Sequence, residues 1–205
     1  MWKQIGTWLG VAGLGSLGAF AVTDVAGNMK IIENFDGGVS ALRWQIVNDG
    51  VMGGLSSSRL EIGADGIAVF GGMLSLENNG GFASVRAEGG LLDMTGYAAL
   101  VVRVKGDGRR YELRVRDQNG WRAPDYRAEF QTVAGEWQVH RLALADFAAG
   151  WRGQDLPDAP PINLSSVREI GFLLGDKTSG RFALEIDWIA AEPTGAGNEA
   201  LKSDI

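Results

Sequence analysis

Short runs of alternating apolar and polar residues, separated by glycine-containing turns, are the feature that most constrains the fold of this chain. In residues 98–105, Leu100, Val102 and Val104 fall on one face, as the two-residue period of a strand requires. Turn sequences recur between such runs, among them Asp65-Gly66, Asn78-Asn79-Gly80-Gly81 and Gly106-Asp107-Gly108. About a dozen short strands of this kind predict an all-β protein, an antiparallel sandwich or barrel in which two sheets pack together.

The turn signals also predict which strands pair as hairpins. The predicted hairpins join residues 56–62 to 67–70, 73–77 to 82–87, 98–105 to 110–117, and 126–131 to 136–142. A first strand is predicted over residues 30–35, and the last two over 168–174 and 182–190. Residues 142–149 resemble a brief helix, and residues 151–163 hold three prolines and resemble an irregular loop.

Composition excludes several classes of chemistry. The chain has 205 residues, which suits one domain. It contains no cysteine, so disulfides, thiolate zinc sites and cysteine nucleophiles are absent. A net charge of −6 argues against a nucleic-acid partner. The one histidine, His140, is interpreted as an ordinary strand residue, and no nucleophile elbow or phosphate-binding loop accompanies it.

Carboxylates leave two possibilities open. A catalytic pair of the glycosidase type meets in space rather than in sequence, so the chain neither singles one out nor excludes it. Glu33, Asp36 and Asp187 lie near the two ends of the domain. They would be a calcium-binding set if the terminal strands pair, although surface charge is the simpler explanation. We therefore predict neither a metal site nor a cofactor.

The first residues form an apolar leader. Residues 4–23 carry no charge, Lys3 precedes them, and Ala19-Phe20-Ala21 offers small residues at the positions that a signal peptidase reads. A cleaved signal, an uncleaved membrane anchor and a true start at Met29 all remain open. The first two favour an exported or membrane-anchored protein, and the third a cytoplasmic one. The predicted organisation is a leader over 1–28, one domain over 29–190 and a loose tail over 191–205.

Residues 44–58, which read WQIVNDGVMGGLSSS, are the most informative single stretch. Asn48-Asp49-Gly50 is strong turn chemistry, because Asn and Asp tolerate positive φ and bond their own backbone. Gly53-Gly54 permits conformations closed to other residues, or the close approach of another group. Met52 is thereby placed on a sharply bent loop. Either the methionine closes the end of the core, or the loop is a contact surface.

A second candidate surface depends on the predicted pairing of residues 98–105 with 110–117. Four cations would then share one sheet face: Arg103, Lys105, Arg114 and Arg116. Like charges opposite each other repel, so the face requires acidic partners such as Glu112 and Glu129, or an external ligand. Exposed aromatic rings stack on sugars. The alternative sugar-binding face comprises Arg103, Arg114, Arg116 and Trp121, with Trp137 and Trp151 as further aromatic candidates.

Several motifs together carry a family resemblance. They are Glu33-Asn34-Phe35, Trp44, Asn48-Asp49-Gly50-Val51-Met52-Gly53-Gly54, Ser56, Phe70-Gly71-Gly72-Met73-Leu74-Ser75, Asn79-Gly80-Gly81-Phe82-Ala83-Ser84-Val85-Arg86, Ile170-Gly171-Phe172 and Glu185-Ile186-Asp187-Trp188-Ile189. In these motifs the chain resembles the complex I intermediate-associated protein 30 family over nearly all of residues 29–190. The resemblance implies a galactose-binding-domain-like jelly-roll sandwich, a fold shared with carbohydrate-binding modules.

The resemblance also implies a function. Family members of mitochondria assist the assembly of the membrane arm of respiratory complex I (NADH:ubiquinone oxidoreductase), as chaperone-like factors without known catalysis. We therefore predict a non-enzymatic domain that binds a subunit or assembly intermediate of a membrane complex, with a carbohydrate-binding module as the alternative. The membrane itself would be contacted only through an uncleaved leader. The predicted binding residues are Asn48, Asp49, Met52, Gly53, Gly54 and Ser56 in the loop, with Ser84 and Arg86 on the neighbouring strand.

Overall fold

The computed structural model describes residues 29–118 and 123–195. Its strands form two antiparallel sheets. The strands are β1 (Lys30–Glu33), β2 (Arg43–Ile46), β3 (Ser57–Ile62), β4 (Ala68–Leu74), β5 (Ala83–Leu92), β6 (Tyr97–Lys105), β7 (Arg110–Arg116), β8 (Asp125–Gln131), β9 (Trp137–Ala143), β10 (Ala148–Trp151), β11 (Gln154–Asp155), β12 (Val167–Leu174) and β13 (Gly180–Pro193). Single 3₁₀ turns lie at Asp36–Gly38, Asp49–Met52, Glu77–Asn79, Leu144–Asp146 and Leu164–Ser166. The predicted leader, Trp121 and the end of the predicted tail lie outside the described residues.

The six-stranded sheet has the order β3-β4-β13-β6-β9, with β1 also paired to β13. The seven-stranded sheet has the order β11-β10-β8-β7-β12-β5-β2. β13 is the longest strand and continues to Pro193, beyond the predicted end at residue 190. It pairs with β4 along its first half and with β6 and β1 along its second half. The predicted jelly-roll sandwich is confirmed.

The inner faces of the two sheets supply the core. Val102 and Val104 of β6 are fully buried, as are Leu113 of β7 and Phe172 of β12. Phe130 of β8 lies 6.3 Å from Phe172, measured between ring centroids, in an edge-to-face arrangement. The alternation seen in the sequence is therefore the alternation of core-facing and outward-facing side chains.

The predicted strand pairing was right once and wrong three times. β3 and β4 form the hairpin expected around Asp65-Gly66. The other three pairs, β4 with β5, β6 with β7 and β8 with β9, lie in opposite sheets. Each of these three connections passes from one sheet to the other. A strand with one apolar face needs a second sheet packed against that face as well as a neighbour along its edge. The turn sequences show where the chain reverses and carry no information about which sheet it enters next.

Candidate functional site

Asp49 fixes the base of the loop between β2 and β3. Its side chain is fully buried. Oδ1 accepts the Ser56 backbone N–H at 2.9 Å, and Oδ2 accepts the Ser56 hydroxyl at 2.5 Å. Oδ2 also accepts the N–H groups of Gly81 at 2.7 Å and Phe82 at 3.3 Å. One carboxylate thus joins the two ends of its own loop to the chain that leads into β5.

Two opposing effects act on the pKa of Asp49. Burial alone would raise it, because a charged carboxylate loses its hydration. The hydrogen bonds donated by Ser56, Gly81 and Phe82 to the ionised form outweigh burial, and the pKa of Asp49 lies below its ordinary value. The carboxylate therefore remains ionised at neutral pH, where charge-assisted hydrogen bonds are strongest.

Glycines make the close approach to Asp49 sterically possible. A Cβ atom at Gly54 would lie 2.4 Å from Asp49 Cγ, and one at Gly80 would lie 2.6 Å from Asp49 Oδ2. Gly53 adopts φ of +89° with open space around it, so backbone conformation rather than crowding favours glycine there. The backbone conformation of the turn thus favours glycine at position 53, and the space taken by the Asp49 carboxylate requires glycine at position 54.

Asn48 and Ser84 complete the internal bonding of the loop. Asn48 Oδ1 accepts the Ser58 hydroxyl at 2.8 Å and the Ser84 N–H at 3.3 Å. The Ser84 hydroxyl donates to the carbonyl of Val47. Ser84 is 1% exposed and Ser56 is 9% exposed. The structure therefore brings the predicted loop residues and Ser84 together, but most of their polar groups point at one another.

The outer end of the loop is apolar. Val51 is 75% exposed, Met52 56% and Leu55 54%. We call these three residues the apolar tip. Met52 therefore does not close the core, and the interpretation as a core plug is wrong. Val51 and Leu55 were missed in the sequence, although apolar residues within a glycine-rich turn are the signal that would have found them.

Arg86 lies apart from the loop, on the outward face of β5. Its Nη1 atom is 3.7 Å from Glu169 Oε1 of β12, and both side chains are about one fifth exposed. Burial raises the pKa of Glu169, against the opposing effect of Arg86. Arg86 therefore belongs to a paired row of charges across the seven-stranded sheet rather than to the apolar tip.

The predicted four-cation face does not exist. Because β6 and β7 lie in different sheets, Arg103 and Lys105 are on one side of the sandwich, and Arg114 and Arg116 on the other. Each cation has an acidic partner on its own sheet. The pairs are Arg103 with Asp187, Lys105 with Glu185, Arg114 with Glu112 and Asp125, and Arg116 with Asp125. Arg103 therefore cannot share a sugar-binding face with Arg114, and Trp121 lies outside the described residues.

The calcium-binding set that the sequence left open does not form. Glu33 is 1% exposed and accepts the N–H groups of Phe35 at 3.2 Å and Leu42 at 3.2 Å, together with the Ser40 hydroxyl. Burial would raise its pKa, but these donors lower it. Asp187 binds Arg103 instead. In residues 29–118 and 123–195, no three His, Asp or Glu side chains form a group that would hold a metal ion.

His140 of β9 lies against an aromatic ring of the other sheet. The imidazole ring of His140 packs 4.9 Å from the ring of Phe130, between centroids, and burial lowers its pKa. It is an ordinary strand residue, as predicted. Within the described part of the chain, no helix is long and apolar enough to span a membrane.

The sandwich defines a class of fold: a two-sheet jelly roll of the kind found in carbohydrate-binding modules. A family 11 carbohydrate-binding module of Clostridium thermocellum superposes with a TM-score of 0.62 at 15% identity, over 82% of this chain and 96% of that one. A domain of the agarase AgWH50C superposes with a TM-score of 0.57 at 11% identity, over 80% of this chain and 24% of that one. These likenesses show the fold alone.

The sequence itself gives the family. Residues 33–186 match the family of complex I intermediate-associated protein 30, and the chain belongs to it. The protein named "Complex I intermediate-associated protein 30, mitochondrial" of Drosophila melanogaster is 26% identical over 194 residues, which cover 83% of this chain and 63% of that protein. Its namesake in Mus musculus is 31% identical over 101 residues, or 47% of this chain and 31% of that protein. The chain thus spans less than two thirds of these relatives' length.

Proposed function

We propose that this domain is a non-enzymatic, chaperone-like assembly factor for respiratory complex I, and that it contacts a protein partner through the apolar tip. The family membership and the names of the relatives support the assembly role. The single observation that carries the contact surface is the exposure of Val51, Met52 and Leu55 above a fixed base. The proposal extends to this domain what the names of its relatives say of them.

The apolar tip suits protein contact for a physical reason. Three neighbouring apolar side chains in water favour burial by about 25 cal/mol for each Å² removed from solvent. Contiguous exposed apolar surface marks interaction sites more often than scattered residues do. Met52 adds an unbranched thioether that adapts to surfaces of different shape. Such a tip would bind the incompletely packed surface of an assembly intermediate.

The buried polar residues would act by holding the tip rather than by touching the partner. The bonds from Asp49 to Ser56, Gly81 and Phe82 tie both ends of the loop down. A pre-ordered loop loses less conformational entropy on binding, which raises affinity. In this proposal Asn48, Asp49, Gly54, Ser56 and Ser84 are positioning residues, and the apolar tip is the contact.

A pull-down of the tagged full-length protein from its native host tests the proposal, with complex I subunits quantified by mass spectrometry. Met52→Asp places a charge in the apolar tip, and we expect recovery of those subunits to fall about tenfold, because a desolvated unpaired charge costs more than about 1.4 kcal/mol. Val39→Asp is the matched control. Val39 is 68% exposed and precedes β2, whereas the apolar tip follows it. Equal recovery with Met52→Asp and wild type would contradict the proposal.

Sugar binding stays a second prediction. One observation favours it: the row of paired charges on the seven-stranded sheet, where Arg86, Arg114 and Glu169 are held in place and only about one fifth exposed. Ordered polar groups of this kind suit sugar hydroxyls. A family 11 module was solved with a β-1,3-1,4-mixed-linked tetrasaccharide. Calorimetric titration of that sugar into the wild type and into Arg86→Ala distinguishes the two functions. Sugar binding requires Arg86, whereas protein contact through the apolar tip does not.

A further inference from the structure

β9 forms one edge of the six-stranded sheet. It pairs with β6 through seven consecutive residues, from Ala143 opposite Ala99 to Trp137 opposite Lys105, without a register shift. On its other side no described strand pairs with it. Every second residue of an edge strand directs its N–H and C=O groups away from the sheet. β9 therefore presents a straight row of hydrogen-bonding groups along its free edge.

β9 lacks the features that usually protect such an edge. Proteins block edge strands with lysine, proline, bulges or short length. β9 contains no lysine, proline or bulge, and its exposed face carries Val139, which is 52% exposed. Its one arginine, Arg141, is paired with Glu192: Arg141 Nε donates to both carboxylate oxygens, at 3.0 and 2.9 Å. Arg141 is thus the one charged residue of β9, and its pairing with Glu192 reduces its opposition to an added strand.

A cleft runs beside the free edge. β10 pairs with β8 only at Asp125–Arg127, so no described strand pairs with residues 128–131 of β8 on that side. Residues of β8 and β9, from the two sheets, line a common cleft there. The cleft between them has a volume of about 400 Å³. It is lined by Arg127, Ala128, Glu129, Arg141, Leu142, Ala143, Asp146, Ala148 and Asp155. A strand added to β9 would point alternate side chains into this space.

The charges around the cleft favour a basic side chain. Arg127 pairs with Asp155, and Arg141 pairs with Glu192. Glu129 lies 3.5 Å from Arg110. Asp146 is exposed and lies beyond salt-bridge distance of every described cation, although its charge helps to raise the pKa of Arg141. The carboxylates around the cleft thus outnumber the cations by one, and a lysine or arginine would balance this charge.

We propose that the free edge of β9 receives an extended segment of a partner polypeptide as an added strand, with lysine or arginine side chains of that segment entering the cleft towards Asp146. Backbone hydrogen bonds to β9 supply affinity, and the cleft selects alternate side chains, as in strand addition generally. The surface is separate from the apolar tip, so it gives the domain a second contact with a protein.

Hydrogen exchange of the full chain tests the proposal directly. The probe is a capped six-residue peptide that alternates valine and lysine, and the control is its valine–glutamate counterpart. We expect the lysine peptide to slow exchange of β9 amides that do not bond to β6, and the glutamate peptide to leave them unchanged. Protection elsewhere without protection in β9, or equal protection by both peptides, would overturn the proposal.

Three variants test whether the peptide binds at the β9 edge or elsewhere on the molecule. Val139→Lys adds the protective charge that β9 lacks, and we expect it to weaken the lysine peptide about tenfold. Asp146→Asn should weaken it about threefold and flatten its salt dependence. Val39→Lys, at an exposed valine outside both surfaces, should leave peptide affinity unchanged. Unaltered affinity in Val139→Lys would overturn the proposal, as would a β9-dependent dimer in sedimentation, since a second copy would then occupy the edge.

Discussion

Asp49 is the residue on which the loop depends, and its substitution makes the dependence measurable. Asp49→Asn would direct an amide N–H₂ group at donors that now bond to a carboxylate, namely Ser56 and Gly81. Because breaking a buried charged network leaves polar groups unpaired, we expect the free energy of unfolding to fall by about 2–4 kcal/mol. Urea unfolding at pH 7 measures this.

The control for that substitution is Asp158→Asn. Asp158 is exposed, so the free energy of unfolding should change by less than about 0.5 kcal/mol. A loss in Asp49→Asn no greater than that of the control would mean that the buried carboxylate does not stabilise the loop.

Residue identities predicted the importance of this loop but not the direction in which its side chains point. Asn48-Asp49-Gly50 indicated a turn, and the turn is present. The sequence could not show that the N–H of Gly81, far along the chain, reaches the carboxylate of Asp49. Long-range hydrogen bonds leave no local pattern, so polar groups assigned to a partner proved to be satisfied internally.

At the scale of elements, Gly72 controls how closely β3 and β4 approach. A Cβ atom there would lie 2.0 Å from the carbonyl oxygen of Ser57 and 2.8 Å from Ser58 Cα. Both obstacles are backbone, which cannot move without disturbing the ladder. We expect Gly72→Ala to lower the free energy of unfolding by about 1–3 kcal/mol, as overpacking usually does, measured as a shift in the urea midpoint.

Gly50→Ala is the matched control for Gly72→Ala. A Cβ atom at Gly50 would have no neighbour within 4 Å, and its φ is not in the left-handed region. The substitution should be neutral or slightly stabilising, by up to about 1 kcal/mol, because it restricts the unfolded chain. Similar midpoints for the two variants would show that β3 moves away from Gly72 at little cost.

The alternation of apolar and polar residues predicted the strands but not all of their partners. It assigned strands and their buried faces correctly, as for Leu113 and Val115 in β7. It failed for the partners of β6 and β7, because burial on an inner face looks the same whichever sheet a strand joins. The β3–β4 hairpin and the sheet-crossing β6–β7 connection both contain Asp-Gly, so the turn sequence does not decide which sheet the next strand joins. In the seven-stranded sheet, Tyr111 of β7 stacks on Phe130 of β8.

For the whole molecule, carboxylates with little exposure stabilise three separate connections between strands. Glu33 bonds the β1–β2 connection, Asp49 the β2–β3 loop, and Asp176 pairs with Arg109, whose Nη2 is 2.5 Å away. Donors and, for Asp176, the Arg109 cation lower all three pKa values against the opposing effect of burial. Three separate regions of the molecule therefore depend on ionised carboxylates.

This arrangement predicts loss of stability in acid. A carboxylate whose pKa is lowered by folding contributes stability that is present above its unfolded pKa of about 4 and is lost as the pH falls through its folded pKa. Glu169 acts in the opposite sense, because burial raises its pKa and its ionisation disfavours folding as the pH rises. Asp93 joins the first three, because hydrogen bonds from Thr95 lower its pKa. With four groups against one, we expect the free energy of unfolding to decline below pH 4, by at most about 1.4 kcal/mol per pH unit for each buried carboxylate that titrates.

Urea unfolding at pH 7, 5, 4 and 3 measures this decline, and Asp49→Asn identifies one of its sources. The variant lacks one titrating carboxylate, so its free energy of unfolding should fall less steeply than that of the wild type between pH 4 and 3. Parallel curves would mean that Asp49 has the same pKa in the folded and unfolded chain, contrary to its four hydrogen bonds from Ser56, Gly81 and Phe82. In a Glu169→Gln variant the decline should be steeper between pH 7 and 4, because protonation of Glu169 in that range otherwise stabilises the folded chain.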